Sequence, residues 1–98
     1  MSTEYGIKEL QRDYGVLTFG NALESFRKCE EFSRKEFALM LGISSQSLCE
    51  IEKGRRIPSP SHAVKIARLI QQPVQFWLQL ALQDMLRQEN LDYIVSVA

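Results

Sequence analysis

Between Ser33 and Pro60 the chain starts a helix three times, so no single long element fits across that stretch. The run "SRKEFALMLGISSQSLCEIEKGRRIPSP" carries its own punctuation. Ser33 and Glu36 have the spacing of a capping box, in which each side chain satisfies a free backbone N–H of the other. Phe37, Ala38 and Leu41 then give one buried side, and Gly42 stands where a left-handed turn ends the helix. Ser44 caps a second short helix, with Leu48 and Ile51 inward, and Gly54 ends it. Ser59 caps a third, with Pro60 at the first helical position, where a missing N–H costs nothing. The spacing predicts helices at 33–41 and 44–53 joined by a tight turn, which is a helix-turn-helix.

The flanking sequence is helical too. Ile7, Leu10 and Tyr14 recur at helical spacing before Gly15, so residues 1–17 read as an N-terminal extension helix. Thr18 caps the next helix, whose apolar stripe is Phe19, Ala22, Leu23 and Phe26, with Arg27 at its border. Val64, Ile66, Ala67 and Ile70 supply the apolar side of the helix after Pro60, and Pro73 starts the last one, "PVQFWLQLALQDMLRQEN". In residues 91–98, Leu91, Tyr93, Val95 and Val97 alternate with Asp92, Ile94, Ser96 and Ala98 in the period of a strand. The expected fold is therefore all-α: a compact bundle of about five to six helices with a repressor-like helix-turn-helix, plus a short C-terminal β-strand. Its parts are an extension at 1–17, a domain carrying the helix-turn-helix at 18–72 and a C-terminal helix and tail at 73–98.

Composition narrows the function. The 98 residues suit one domain, and the 12 basic and 12 acidic side chains cancel. They are unevenly spread, however: residues 34–68 hold seven Lys/Arg against three acids, a local +4. That is compatible with one basic working face. Cys29 and Cys49 lack metal-ligand spacing and His62 is the sole histidine, so no metal, cofactor or enzyme reading is favoured. Without a secretory pattern or an apolar span of bilayer length, the expectation is a soluble cytoplasmic protein that does not enter a membrane.

The start of the second short helix is rich in small polar residues, and that feature points to double-stranded DNA. In a helix-turn-helix the second helix lies in the major groove, with its N-terminal residues at base edges. Ser44, Ser45, Gln46 and Ser47 are short or planar hydrogen bonders, and a glutamine amide can bond both edge atoms of an adenine. With Leu48 and Ile51 inward, Ser45, Gln46, Cys49 and Lys53 turn outward. Cys49 then offers a small apolar surface to a thymine methyl, while Lys53, Arg55 and Arg56 lie at the far end for backbone phosphates. Capping alone accounts for Ser33 and Ser44. It does not account for a capping box, a turn glycine, a polar second start and a basic end together.

The same run resembles the Cro/phage-repressor helix-turn-helix family, also called the xenobiotic response element (XRE) family. The match is carried by Ser33, Phe37-Ala38, Gly42-Ile43-Ser44, Leu48, Ile51-Glu52, Gly54 and Pro58. The resemblance implies that Ser45, Gln46 and Cys49 read bases and that Arg34 stands where a glutamine usually holds phosphate and braces the reading helix. Arg34 and Lys35 complete the DNA-binding candidates. It also implies a structural ion pair between Arg27 and Glu52. Glu31 departs from a frequent glycine, so the turn at 30–32 is expected to differ.

Family members bind paired half-sites, so a homodimer on a palindromic operator is expected. The last helix is apolar on too many sides for one small core: Phe76, Trp77 and Leu80 can close the domain, and Trp77, Leu78, Leu82 and Met85, with Tyr93 and Val95 of the tail, are the interface candidates. Size and dimerising ends resemble the autorepressing antitoxins of HigA or HipB type, which bind a toxin protein, as well as repressors that act alone. The competing class is a helical protein-interaction domain, toxin-neutralising or scaffolding, with little DNA binding of its own.

Overall fold

The computed structural model describes residues 16–91 and 93–97, which form five helices and no strand. They are α1 (Phe19–Cys29), α2 (Arg34–Leu41), α3 (Ser45–Glu52), α4 (Pro60–Leu69) and α5 (Val74–Gln88). The helix expected near the N-terminus lies outside the described residues. Four helix starts are fixed by the residue just before them. Thr18 accepts from the Asn21 N–H at 3.0 Å, Ser44 from Ser47 at 3.0 Å and Ser59 from His62 at 3.2 Å. The Ser33/Glu36 capping box is closed in both directions, at 3.1 and 3.0 Å. Helix α5 starts after Pro73 with no side-chain cap.

All five helices end alike. After α1, the Phe32 N–H reaches back to the Arg27 carbonyl and the Glu31 N–H to Lys28. Equivalent bond pairs close α2 at Gly42-Ile43, α3 at Gly54-Arg55, α4 at Gln71-Gln72 and α5 at Asn90-Leu91. The turning residue is left-handed each time, with φ of 73° at Gly42 and 76° at Gly54, but also 60° at Glu31, 56° at Gln71 and 59° at Asn90. Sequence marked the two glycines. The other three bear a strain of roughly 1 kcal/mol each that glycine would not.

Helices α2 and α3 rest on the other three, α3 against α1 and α2 against α4. Helix α4 packs most extensively on α5, while α3 is held between α1 and α2. Phe19, Leu23, Phe37, Leu48, Ile51 and Ile66 are the large side chains fully enclosed between them. Trp77 meets Phe19 edge-on, with ring centroids 5.3 Å apart, and is 2% exposed. This corrects its place among the interface candidates: the indole is spent on the chain's own core, where area burial outweighs an indole N–H left without a partner. Leu78, Leu82 and Met85 are half-buried.

Helix α5 also secures the start of α1. The Phe19 N–H, one of the free donors of that helix, donates to Asp84 Oδ2 at 2.9 Å, and a carboxylate there also favours the helix dipole. Arg87 pairs with Asp84 and donates to the Leu17 carbonyl at 3.3 Å. Burial pushes the Asp84 carboxyl above its usual range, against the opposing pull of the Phe19 N–H and of Arg87.

The tail does not form the expected strand within the chain. Instead the Gln83 amide takes the place of a strand neighbour: its Nε2 donates to the Tyr93 carbonyl at 2.7 Å, and its Oε1 accepts from the Val95 N–H at 2.9 Å. One side chain thus pairs with two of the backbone groups that this edge of the segment would offer to a strand. Tyr93 stays 68% exposed and Val95 half-buried.

Candidate nucleic-acid interface

What fixes α3 is a carboxylate shared by two arginines. Glu52, in the last turn of α3, has a fully buried side chain. Arg27 of α1 donates to it twice, Nε to Oε2 at 2.7 Å and Nη2 to Oε1 at 3.2 Å, and turns Nη1 to the Phe32 carbonyl at 3.0 Å. Arg34, the first residue of α2, donates Nε to the same Oε1 at 3.1 Å and lies 3.7 Å from Glu24. Three helices therefore converge on one buried acid whose charge is balanced. The Arg34 guanidinium is held in its charged form, chiefly by the hydrogen bond to Glu52. With its side chain 40% exposed, Arg34 braces α3 from outside and keeps part of its donor fork at the surface.

A second anchor was not visible from the sequence. Helix α1 crosses the end of α3 at Gly20, where an added Cβ would lie 2.1 Å from the Ile51 carbonyl oxygen and 2.9 Å from that of Glu52. No side chain fits there. In sequence, Gly20 reads only as a weak residue in a helix; its contact lies more than 30 positions away.

With its far end anchored, α3 presents its start. Ser45 and Gln46 are exposed, Ser47 and Cys49 half-buried, and Lys35, Lys53, Arg55 and Arg56 exposed. Their free donors differ. Ser44 Oγ accepts from the Ser47 N–H and donates to Ser47 Oγ at 3.0 Å, so both hydroxyls are engaged in the cap. Ser45 has no hydrogen-bond partner for its side chain among the described residues. Gln46 Nε2 donates to Glu50 Oε1 at 3.4 Å. Arg56 is not at the far end of α3: it folds back along the helix and donates Nη1 to Ser47 Oγ at 3.2 Å, because the chain reverses at the left-handed Gly54. That brings a cation to the start of α3, beside a cleft lined also by Ile43, Ser59 and His62. Burial, then Lys65 and Arg56, hold the His62 imidazole below its ordinary pKa, so it is neutral at physiological pH.

Two short helices at a left-handed glycine turn, the second locked from behind and polar in front, define a helix-turn-helix domain. The chain belongs to the helix-turn-helix family of Cro/phage-repressor (XRE) type, whose pattern matches residues 23–77, more than half of its length. It is similar to the uncharacterised HTH-type transcriptional regulator YazB of Bacillus subtilis (strain 168), with 44% identity over 41 residues. The aligned part is 42% of this chain and 59% of that relative. No solved structure matches the chain. Among the described residues, no helix is long and apolar enough to cross a membrane.

Proposed function

We propose that the chain is a sequence-specific DNA-binding transcriptional regulator, a repressor that lays α3 in the major groove. The observation that carries this reading is the division of α3 into a buried anchor at Glu52 and an exposed start at Ser45 and Gln46. A helix of eight residues held so firmly at one end has its other end preorganised, which lowers the ordering cost of binding. Ser45, Gln46 and Cys49 face base edges, while Arg34, Lys35, Lys53, Arg55 and Arg56 with the Ser47 hydroxyl meet phosphates, joined by Ser44 where its hydroxyl proton turns from Ser47 to a phosphate oxygen.

One such helix reads a few base pairs, so the reading includes a homodimer on a two-fold operator, with Leu78, Leu82, Met85, Tyr93 and Val95 at the interface. The test is a fluorescence-anisotropy titration against DNA from just upstream of the chain's own gene, with scrambled DNA as control, at several salt concentrations. A preference of about a thousandfold or more supports the reading. It also defines an autorepressor, the behaviour of the antitoxin in a toxin–antitoxin operon, and makes the neighbouring gene product the toxin to assay. No binding to either DNA refutes it in favour of a protein-interaction domain.

A further inference from the structure

One acid on α3 runs against its surroundings. Glu50 is half-buried on the same face as Gln46, one helical turn further along, and its Oε1 accepts the Gln46 amide at 3.4 Å. Among the described residues its carboxylate has no ion-pair partner, although Lys53, Arg55 and Arg56 follow within six positions. To Glu50, Arg55 and Arg56 give only their backbone N–H groups, and these go to its carbonyl rather than its carboxylate, while the Arg56 Nη1 goes to Ser47 Oγ. On a face that approaches a polyanion, an unpaired carboxylate repels every sequence alike. It is compensated only where the nucleic acid donates a hydrogen bond to it.

The major groove offers few such donors. Cytosine N4 and adenine N6 donate there, whereas guanine O6 and N7 and thymine O4 only accept. A carboxylate is acceptor-only. Because Gln46 turns Nε2 toward Glu50, its Oε1 is turned away and is a second acceptor. The 3.4 Å hydrogen bond that joins the two side chains is about the length of one base step, so the acceptors reach the same or neighbouring base pairs.

We propose that Glu50 is a specificity-determining residue of the reading helix: with Gln46 it forms an acceptor pair that selects exocyclic amines, cytosine N4 opposite Glu50 and adenine N6 opposite Gln46. Guanine and thymine edges are rejected by facing acceptors, discrimination by repulsion as well as attraction. The inference rests on α3 being the groove helix, and it assigns the job of an acid that phosphate binding leaves unexplained.

The experiment is selection from a randomised duplex library by the full chain, Glu50→Gln and Glu50→Ala, followed by affinity measurements on the recovered sites. Wild type is expected to favour cytosine at one position of each half-site by about 5- to 150-fold, the span of a good base contact. Glu50→Gln, which can both donate and accept, shifts that position toward adenine. Glu50→Ala loses the preference there, keeps it elsewhere and binds the sites that lack cytosine at that position more tightly, without gaining affinity for the cytosine site. Uniformly tighter binding by Glu50→Ala with an unchanged motif overturns the assignment and leaves Glu50 merely repulsive. A wild-type chain that enriches no motif refutes DNA reading itself, and this inference with it. Thermal midpoints of both variants, expected to match wild type, separate either result from misfolding.

Discussion

Arg27→Ala tests whether α3 is held from behind. The substitution deletes three hydrogen bonds: 2.7 and 3.2 Å to Glu52, and 3.0 Å to the Phe32 carbonyl. It leaves the enclosed Glu52 carboxylate with Arg34 Nε alone, at 3.1 Å. Breaking a buried pair typically costs about 3–5 kcal/mol, because one charge stays behind without water. Arg34 remains as a residual partner, which places the expected loss near the lower end, about 3 kcal/mol. For a chain of this size that lowers the thermal midpoint by roughly 12–24 °C. Arg34→Ala alone, from a side chain 40% exposed and screened by solvent, costs under about 1 kcal/mol. The double variant strands Glu52 completely, so its loss should exceed the sum of the singles by about 1 kcal/mol or more. Circular dichroism melts and urea titrations of the three proteins read these values. A midpoint within about 4 °C of wild type for Arg27→Ala refutes the structural pair, and strict additivity refutes the shared acceptor.

Gly20→Ala is expected to cost about 3 kcal/mol or more in urea unfolding, since both sides of the contact are backbone and neither can rotate away. Glu31→Gly relieves a left-handed residue and should gain about 0.5–1 kcal/mol, read as a higher melting midpoint; a decrease would mean that the turn is not strained. Asp84 has its folded pKa raised by burial, so the native state binds its proton more tightly than the unfolded chain does. Stability relative to Asp84→Asn should therefore rise as pH falls through the raised pKa toward about 3.9, and a flat or falling difference contradicts the burial argument. Gln46→Ala should cut discrimination at one base by about 5- to 150-fold with no change in melting midpoint.

Features set by neighbours in sequence were legible in sequence. Thr18, Ser33 with Glu36, Ser44, and Ser59 with Pro60 each act within three residues, and a cap is a local bond between a side chain and an N–H already in reach. Features set by meetings across the fold were not. Asp84 is a polar residue in an apolar helix until Phe19, 65 positions away, gives it an N–H to hold. Trp77 reads both as a residue that can close the domain and as an interface candidate, because sequence fixes which face of a helix is oily, not which neighbour covers it. Gln83 reads as a solvated glutamine, and only the returning tail gives it two backbone partners. At the candidate site the outward residues were legible from helical phase alone. The return of Arg56 to the start of α3 was not, because it depends on the direction in which the chain leaves Gly54.

The hydrogen-sized gap at Gly20 also bears on how such a chain can drift through sequence space. Where two helices cross on side chains, each core substitution resets the crossing angle slightly, since those side chains are the spacer. Here the spacer is the backbone of α1 lying directly on the carbonyls of Ile51 and Glu52. Conservative changes nearby, such as Ile51→Val, therefore alter the firmness of the domain while leaving the tilt of α3 where it was. Stability and the tilt of α3 are separately mutable at such positions, and it is at the two anchors, Gly20 and Glu52, that they are bound together.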